Sequence, residues 1–152
     1  MDLASRLALL EDREAIRDLI ARYGPLADAG DCAGAAALWT VDGIYEVGGF
    51  GEYRGREAIQ ALLEGESHQA LIACGAAHVL SPPVIELSGN EGRAHNHSVV
   101  FRKAGEAWEA HRASANEWHL RRTPEGWRIA RRINRLLDGS PSARALIGGS
   151  SG

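Results

Sequence analysis

From Leu3 to Tyr23 the apolar side chains Leu7, Leu10, Ile16, Leu19, Ile20 and Tyr23 recur at steps of three and four, with Arg and Glu between them. That spacing predicts an amphipathic helix with one apolar stripe. Gly24-Pro25 is expected to interrupt it. A second, short helix is predicted over Cys32 to Trp39, with the Asp31 carboxylate capping the free amides of its first turn. Gly43 to Val47 reads as a strand and Phe50 to Gly55 as a turn with a short strand, while Arg56 to Glu64 returns to helical spacing through Ile59, Leu62 and Leu63. Beyond this point the pattern becomes extended, over His78 to Leu87, Gly92 to Arg102, Ala107 to Arg122 and Gly126 to Leu137. Turn signals at Gly89-Asn90, Gly105 and Pro124-Glu125-Gly126 separate these segments. Helices first and a long meander afterwards predict an α+β fold, with helices packed on one face of a curved, mostly antiparallel sheet. The expected domain spans residues 1–140, followed by a flexible tail over 141–152.

Composition narrows the function classes. A chain of 152 residues suits one domain, and 45% hydrophobic against 24% charged residues is a globular balance. Lys and Arg total 17 against 20 Asp and Glu, a net charge of -3, so the basic excess that tracks nucleic-acid phosphates is missing. No stretch reaches the roughly 18 apolar residues of a membrane span, and Arg6, Glu11, Asp12 and Arg13 break the apolar start. A cytoplasmic location is expected. Cys32 and Cys74 are too few for a disulfide scaffold and read as reduced, partly buried thiols. Lys103 is the sole lysine, which confines any Schiff-base chemistry to that residue.

A few polar residues have the right type and place for chemistry. Asp31 has a capping explanation; Asp28 has none and reads either as a solvated loop carboxylate or as a functional one. His78 opens the meander after a run of small residues, and reads either as a hydrogen-bonded core histidine or as a base whose far nitrogen a carboxylate would orient. His95 and His97 share strand parity, which suits a subunit interface better than zinc, because no third ligand stands at a diagnostic spacing. Asn116 and Trp118 share the other parity of the next strand, so Asn116 is either a hydrogen-bonding handle in an apolar cavity or a group satisfying a sheet edge. Arg131 and Arg132 face opposite ways in a regular strand, and one of them can enter a cavity.

Four stretches together resemble the SnoaL-like branch of the NTF2-like superfamily: Asp28-Ala29-Gly30-Asp31 after a helix ending in Tyr23, Leu38-Trp39-Thr40-Val41-Asp42-Gly43, Tyr53-Arg54-Gly55-Arg56-Glu57-Ala58-Ile59, and Pro124-Glu125-Gly126-Trp127-Arg128-Ile129. The resemblance covers roughly residues 5 to 137 and implies a cone-shaped α+β fold, one that hosts many chemistries. In site pattern it is most similar to scytalone dehydratase, bile-acid 7α-dehydratase and hexachlorocyclohexane dehydrochlorinase, cofactor-free lyases with an Asp–His dyad. This resemblance implies His78 as base, Asp28 as its orienting carboxylate, Tyr23 as hydrogen-bond donor and Arg132 as active-site cation. It further implies substrate contacts from Tyr45, Asn116, Trp118, Phe50 and His97, with His95 as the alternative to His97. Arg132 lies at the parity opposite Trp127, so its entry into a cavity needs a bulge or a twist. The expected protein is a lyase without metal or organic cofactor, acting on an apolar cyclic small molecule and assembling as a homo-oligomer, a trimer before a dimer. A cyclase, an isomerase or a non-catalytic binding protein would use the same cavity.

Overall fold

A computed structural model describes residues 1–148. The elements are α1 (Leu3–Asp28), α2 (Cys32–Ala36), β1 (Trp39–Val47), β2 (Gly51–Arg54), α3 (Arg56–Glu64), α4 (Glu66–Cys74), β3 (Ala76–Leu80), β4 (Val84–Ser88), β5 (Glu91–Ala104), β6 (Ala107–Thr123), β7 (Gly126–Leu136) and α5 (Pro141–Ile147). The strands form one sheet in the order β2-β1-β7-β6-β5-β3, with β4 also pairing to β5. All pairs are antiparallel except β1 with β7, which is parallel. The sheet is therefore mixed and unclosed, with the N-terminal helices against its concave face, an α+β fold of the NTF2-like kind.

Local chemistry explains where the observed elements depart from the sequence pattern. Helix α1 runs through Gly24-Pro25 to Asp28 instead of stopping there. Pro25 removes one helical N–H in the last turn but points to solvent, while Tyr23, Gly24 and Ala27 of that turn are buried and hold it in place. Helix α2 is shorter than expected, because Trp39 already belongs to β1. The segment from His78 to Leu87 is two strands: Ser81-Pro82-Pro83 breaks it, since proline has no N–H for the ladder. Helix α4 is absent from the sequence reading altogether; none of its residues is buried, so its apolar side meets no core. Within the expected tail, Pro141–Ile147 form a helix that buries Ala143 and Leu146. Residues 149–152 of that tail lie outside the described residues.

Ile16, Ile20, Trp39, Ile59, Trp118, Leu120 and Ile129 are fully buried where α1, α3 and the concave face meet. Burial of each large aliphatic side chain stabilises the fold by about 1.5–3 kcal/mol. Gly24 decides how α1 sits on the sheet. A Cβ built there would lie 2.3 Å from the backbone oxygen of His78, so only glycine lets the helix approach β3 this closely. Gly24→Ala is expected to push β3 away, lowering stability by about 1–3 kcal/mol as overpacking does. Chemical denaturation checks the loss; an unchanged midpoint with an unchanged m-value would refute the close approach.

Candidate functional site

The last residue of α1 and the third residue of β3 meet at the mouth of the helix–sheet angle. Asp28 Oδ1 stands 2.6 Å from His78 Nδ1, and the same carboxylate accepts the backbone N–H of His78 at 2.9 Å through Oδ2 and 3.1 Å through Oδ1. A carboxylate at a helix C-terminus faces the negative end of the macrodipole, an unfavourable place for an anion. Here its charge is held by two donors of one residue, and β3, an edge strand, has this outward N–H satisfied as well. Because a carboxylate only accepts, Nδ1 carries the proton, and Nε2 makes no hydrogen bond among the described residues. Burial pushes the His78 imidazole below its ordinary range; Asp28 raises it, while His68 and Arg132 lower it further, and the net direction is down.

Behind this pair lies an aromatic and cationic floor. Tyr23 meets His78 edge-on at 6.2 Å between ring centroids, Tyr45 edge-on at 6.2 Å and Trp39 edge-on at 5.8 Å. The Arg132 guanidinium carbon sits 4.6 Å from the Tyr23 ring centre, 4.9 Å from that of Tyr45 and 4.3 Å from that of Trp118, within cation–π range of all three. Burial drives the Tyr23 hydroxyl well above the ordinary tyrosine range, with Tyr45 adding to the rise and Arg132 opposing it, so Tyr23 is a neutral donor. Arg132 reaches this place through a bulge. Leu120 pairs with Ile129 but His119 pairs with Arg131, so Ala130 is an extra residue on β7 and the inward parity passes from Trp127 and Ile129 to Arg132 and Asn134.

Arg132 is only 2% exposed and has no carboxylate within 4.0 Å among the described residues. Its Nε donates to Asn116 Oδ1 at 3.0 Å, and its Nη1 is buried with no partner. Asn134 also donates to Asn116 Oδ1, at 2.9 Å, while Asn116 donates to Ser98 Oγ at 2.9 Å. Trp118 donates from Nε1 to Asn96 Oδ1 at 2.8 Å. Asn116 and Trp118 are both completely buried beneath Arg132 and do not line the cavity. Their place is under the site, where they fix the guanidinium, and not against a substrate.

The cavity above this floor has a volume of about 650 Å³, within the usual range for small-molecule sites. Apolar side chains such as Leu62, Leu71, Leu80 and Val100 form most of the wall, with Tyr23, Tyr45, His78 and Arg132 at one end. Phe50 lines it too, half-exposed at the rim. Helix α4 supplies Ser67, His68, Ala70, Leu71 and Cys74, so its apolar side faces the cavity, which is why it buries nothing in the core. His68 Nε2 donates to the Ala27 carbonyl at 3.1 Å and its ring lies 5.5 Å from that of His78.

A family profile for the SnoaL-like domain matches residues 8–133. The chain belongs to the SnoaL-like family. The solved structures similar to this SnoaL-like protein include an NTF2-like protein with a cystatin-like fold from Novosphingobium aromaticivorans. That protein is 56% identical, with 95% of this chain and 94% of that chain covered and a TM-score of 0.93. An Asp-to-Asn variant of a function-unknown protein from Mycobacterium tuberculosis is 25% identical, covering 93% of this chain and 81% of its own at a TM-score of 0.76. Aln2 from a Streptomyces species, at 18% identity, covers 91% of this chain and 96% of its own with a TM-score of 0.75 and shares the fold. No curated protein matches the chain.

Several residues of the SnoaL-like protein lie apart from its cavity. His97 is exposed on the outer face of β5, because Asn96, Ser98 and Val100 take the inward parity. It therefore cannot contact a substrate held in the cavity, and neither can His95, whose Nε2 faces Glu117 Oε2 at 3.4 Å on the outer side. Glu117 also accepts from His119 Nε2 at 2.5 Å. Burial raises the Glu117 carboxyl, but His119, His95 and Arg93 outweigh it and hold it below its ordinary value. Among the described residues no three His, Cys, Asp or Glu side chains are arranged to hold a metal ion. Cys32 is buried and Cys74 exposed, both free thiols, and Lys103 is exposed away from the cavity. Among the described residues no helix is long and apolar enough to cross a membrane.

His68, Arg112, Ser98 and Asn134 are site residues that the sequence pattern did not single out. No buried stripe marks α4, so the spacing along the chain carries no signal that places His68 beside the site. Asn134 becomes visible once the bulge is known, two residues beyond Arg132 on the same face.

Proposed function

We propose that this SnoaL-like protein is a cofactor-independent lyase of the dehydratase or dehydrohalogenase type, acting on a cyclic, largely apolar small molecule. The observation that carries the reading is the 2.6 Å contact between His78 Nδ1 and Asp28 at the edge of an apolar cavity, which leaves Nε2 free to take a proton from carbon. Asp28 orients the ring and stabilises the imidazolium formed after transfer. As the C–H electron pair moves into the new double bond, hydroxide or halide departs from the neighbouring carbon with its bonding pair. Tyr23 donates a hydrogen bond to the leaving group or to an activating carbonyl, and Tyr45 shapes the wall beside it. Arg132, covered by the tyrosine rings, acts as a positioning charge that favours negative charge developing above it. The homo-oligomer contact is assigned to the outer sheet face that carries His95 and His97, and the cytoplasm is the expected setting.

The test feeds ring compounds bearing a hydroxyl or halide β to an activated C–H, in D₂O, and follows both deuterium at that carbon and release of the leaving group. Release with His78-dependent exchange supports elimination. Exchange without release assigns the same base to an isomerase or cyclase, and binding without exchange assigns the cavity to a carrier. Activity is also expected to follow a single acidic limb. Only neutral imidazole accepts a proton, so kcat/KM rises with pH through the His78 value, which lies below the ordinary 6.5 or so, and is flat at neutrality. Tyr23 stays protonated through this range, so no alkaline limb arises from it below about pH 10. A limb centred above pH 7 would exclude His78 as the base.

A further inference from the structure

The cavity carries a second guanidinium that proton abstraction does not use. Arg112 stands on β6 directly across from Val100, and Val100 stands across from His78 on β3, so the three occupy one rung of the sheet. Two strand spacings separate the ends, about 10 Å between Cα atoms. A bulge places Arg112 there: Phe101 pairs with Ala110 and Val100 with Arg112, which leaves His111 as an extra residue and turns both His111 and Arg112 to the cavity.

One nitrogen of Arg112 is anchored and the others are not. Nη2 donates to the Gly48 carbonyl and, at 2.7 Å, to Asn134 Oδ1, and the Phe50 ring covers the guanidinium carbon at 5.6 Å. Nε and Nη1 make no hydrogen bond among the described residues. No Asp or Glu side chain there comes within 4.0 Å of Arg112, and none lines the cavity. Arg102, the remaining cavity arginine, is neutralised by Glu109. Asp28 is engaged by His78, so the cavity presents two arginines whose charge no protein carboxylate matches. Burial lowers the affinity of Arg112 for its proton, with Tyr45 opposing and repulsion from Arg132 adding to the fall, yet a guanidinium remains charged at neutrality. A half-buried charge with no carboxylate partner has lost part of its hydration, and an anion brought to it gains a charge-assisted hydrogen bond.

We propose that Arg112 is a carboxylate subsite, so that the substrate is an apolar ring compound whose carboxylate lies at the opposite end of the cavity from the C–H facing His78. The position of the reacting carbon rests on the proposed base role of His78; carboxylate binding at Arg112 does not. Arg132 is too deeply covered to serve as this anion's partner, with three aromatic rings around it. Arg112, by contrast, is half-buried at the rim beside exposed His111.

The experiment compares 2-naphthoic acid with 2-naphthamide, alike in shape and different in charge, by calorimetry on the full chain at low salt. The acid is expected to bind about ten-fold more tightly than the amide, the worth of one charge-assisted contact. Arg112→Gln is expected to bring the ratio to near one, whereas His78→Ala and Arg112→Lys retain an acid preference. In the unmodified protein the acid, and not the amide, is expected to shield Arg112 from phenylglyoxal as read by peptide mapping, a measurement that needs no variant to fold. Equal affinities, no acid binding up to millimolar concentration, equal shielding, or a preference that survives Arg112→Gln each overturn the subsite. Neither readout requires turnover. An inert His78 therefore leaves the subsite standing, and an active lyase that is indifferent to the carboxylate removes the subsite alone.

Discussion

His78→Ala is expected to lower turnover about 10²–10⁴-fold with little change in KM, the worth of a positioned general base. The imidazole contributes in the transition state, when the proton is in flight, so substrate binding by the apolar wall should survive its loss. Asp28→Asn makes the sharper companion. The amide oxygen can still accept the His78 backbone N–H, but its NH₂ group would face Nδ1 and force that nitrogen to accept, which moves the ring proton to Nε2. The base is then blocked at the atom that must act, and most of the activity is expected to go although the fold is unaltered. Steady-state rates on an elimination substrate, together with imidazole nitrogen shifts that report the tautomer, check both variants. A wild-type rate from His78→Ala would remove the proposed mechanism.

Arg132→Met is expected to separate stability from activity. A buried guanidinium with aromatic neighbours, one hydrogen bond from Nε and an unpartnered Nη1 is costly to keep dry, and an apolar side chain of similar length fills the same space without that cost. Asn116 keeps Asn134 as donor to its oxygen, so the substitution does not leave that acceptor bare. The melting temperature is therefore expected to hold or rise. Turnover is expected to fall about 10²–10³-fold, because the field that favours negative charge beside Tyr23 disappears. A marked fall in melting temperature with turnover unchanged would give Arg132 a purely structural role.

Periodicity made the architecture readable wherever one face of an element is buried. The stripe through Ile16, Leu19, Ile20 and Tyr23 and the alternation along the strands are the direct imprint of a core on the chain, and they yield α+β with helices against a curved sheet. The Asp31 cap was readable for the same local reason, since its carboxylate accepts Gly34 N–H at 2.8 Å only three residues away. Helix α4 was not readable, because its apolar side faces a cavity instead of a core and leaves no buried stripe.

The chemistry-bearing residues could be nominated from the chain but not brought together by it. Asp28 and His78 are fifty positions apart, and what joins them is the close seating of α1 on an edge strand that Gly24 permits. Parity arithmetic needs a regular strand, so the sequence could say that Arg132 requires a bulge without showing it. The extra residue at Ala130 on β7 turns Arg132 inward, and the one at His111 on β6 turns Arg112. Regular alternation with inward Asn96 and Ser98 sends His97 outward, and the depth of the floor buries Asn116 and Trp118 below Arg132. Local spacing and burial thus wrote the fold class, the residue types at hand and most of the elements into the chain, while α4, α5 and the break between β3 and β4 appeared only in the folded structure. Which side chains share the cavity was decided by tertiary structure alone, because helix seating and single-residue bulges arise from packing between segments remote in the chain.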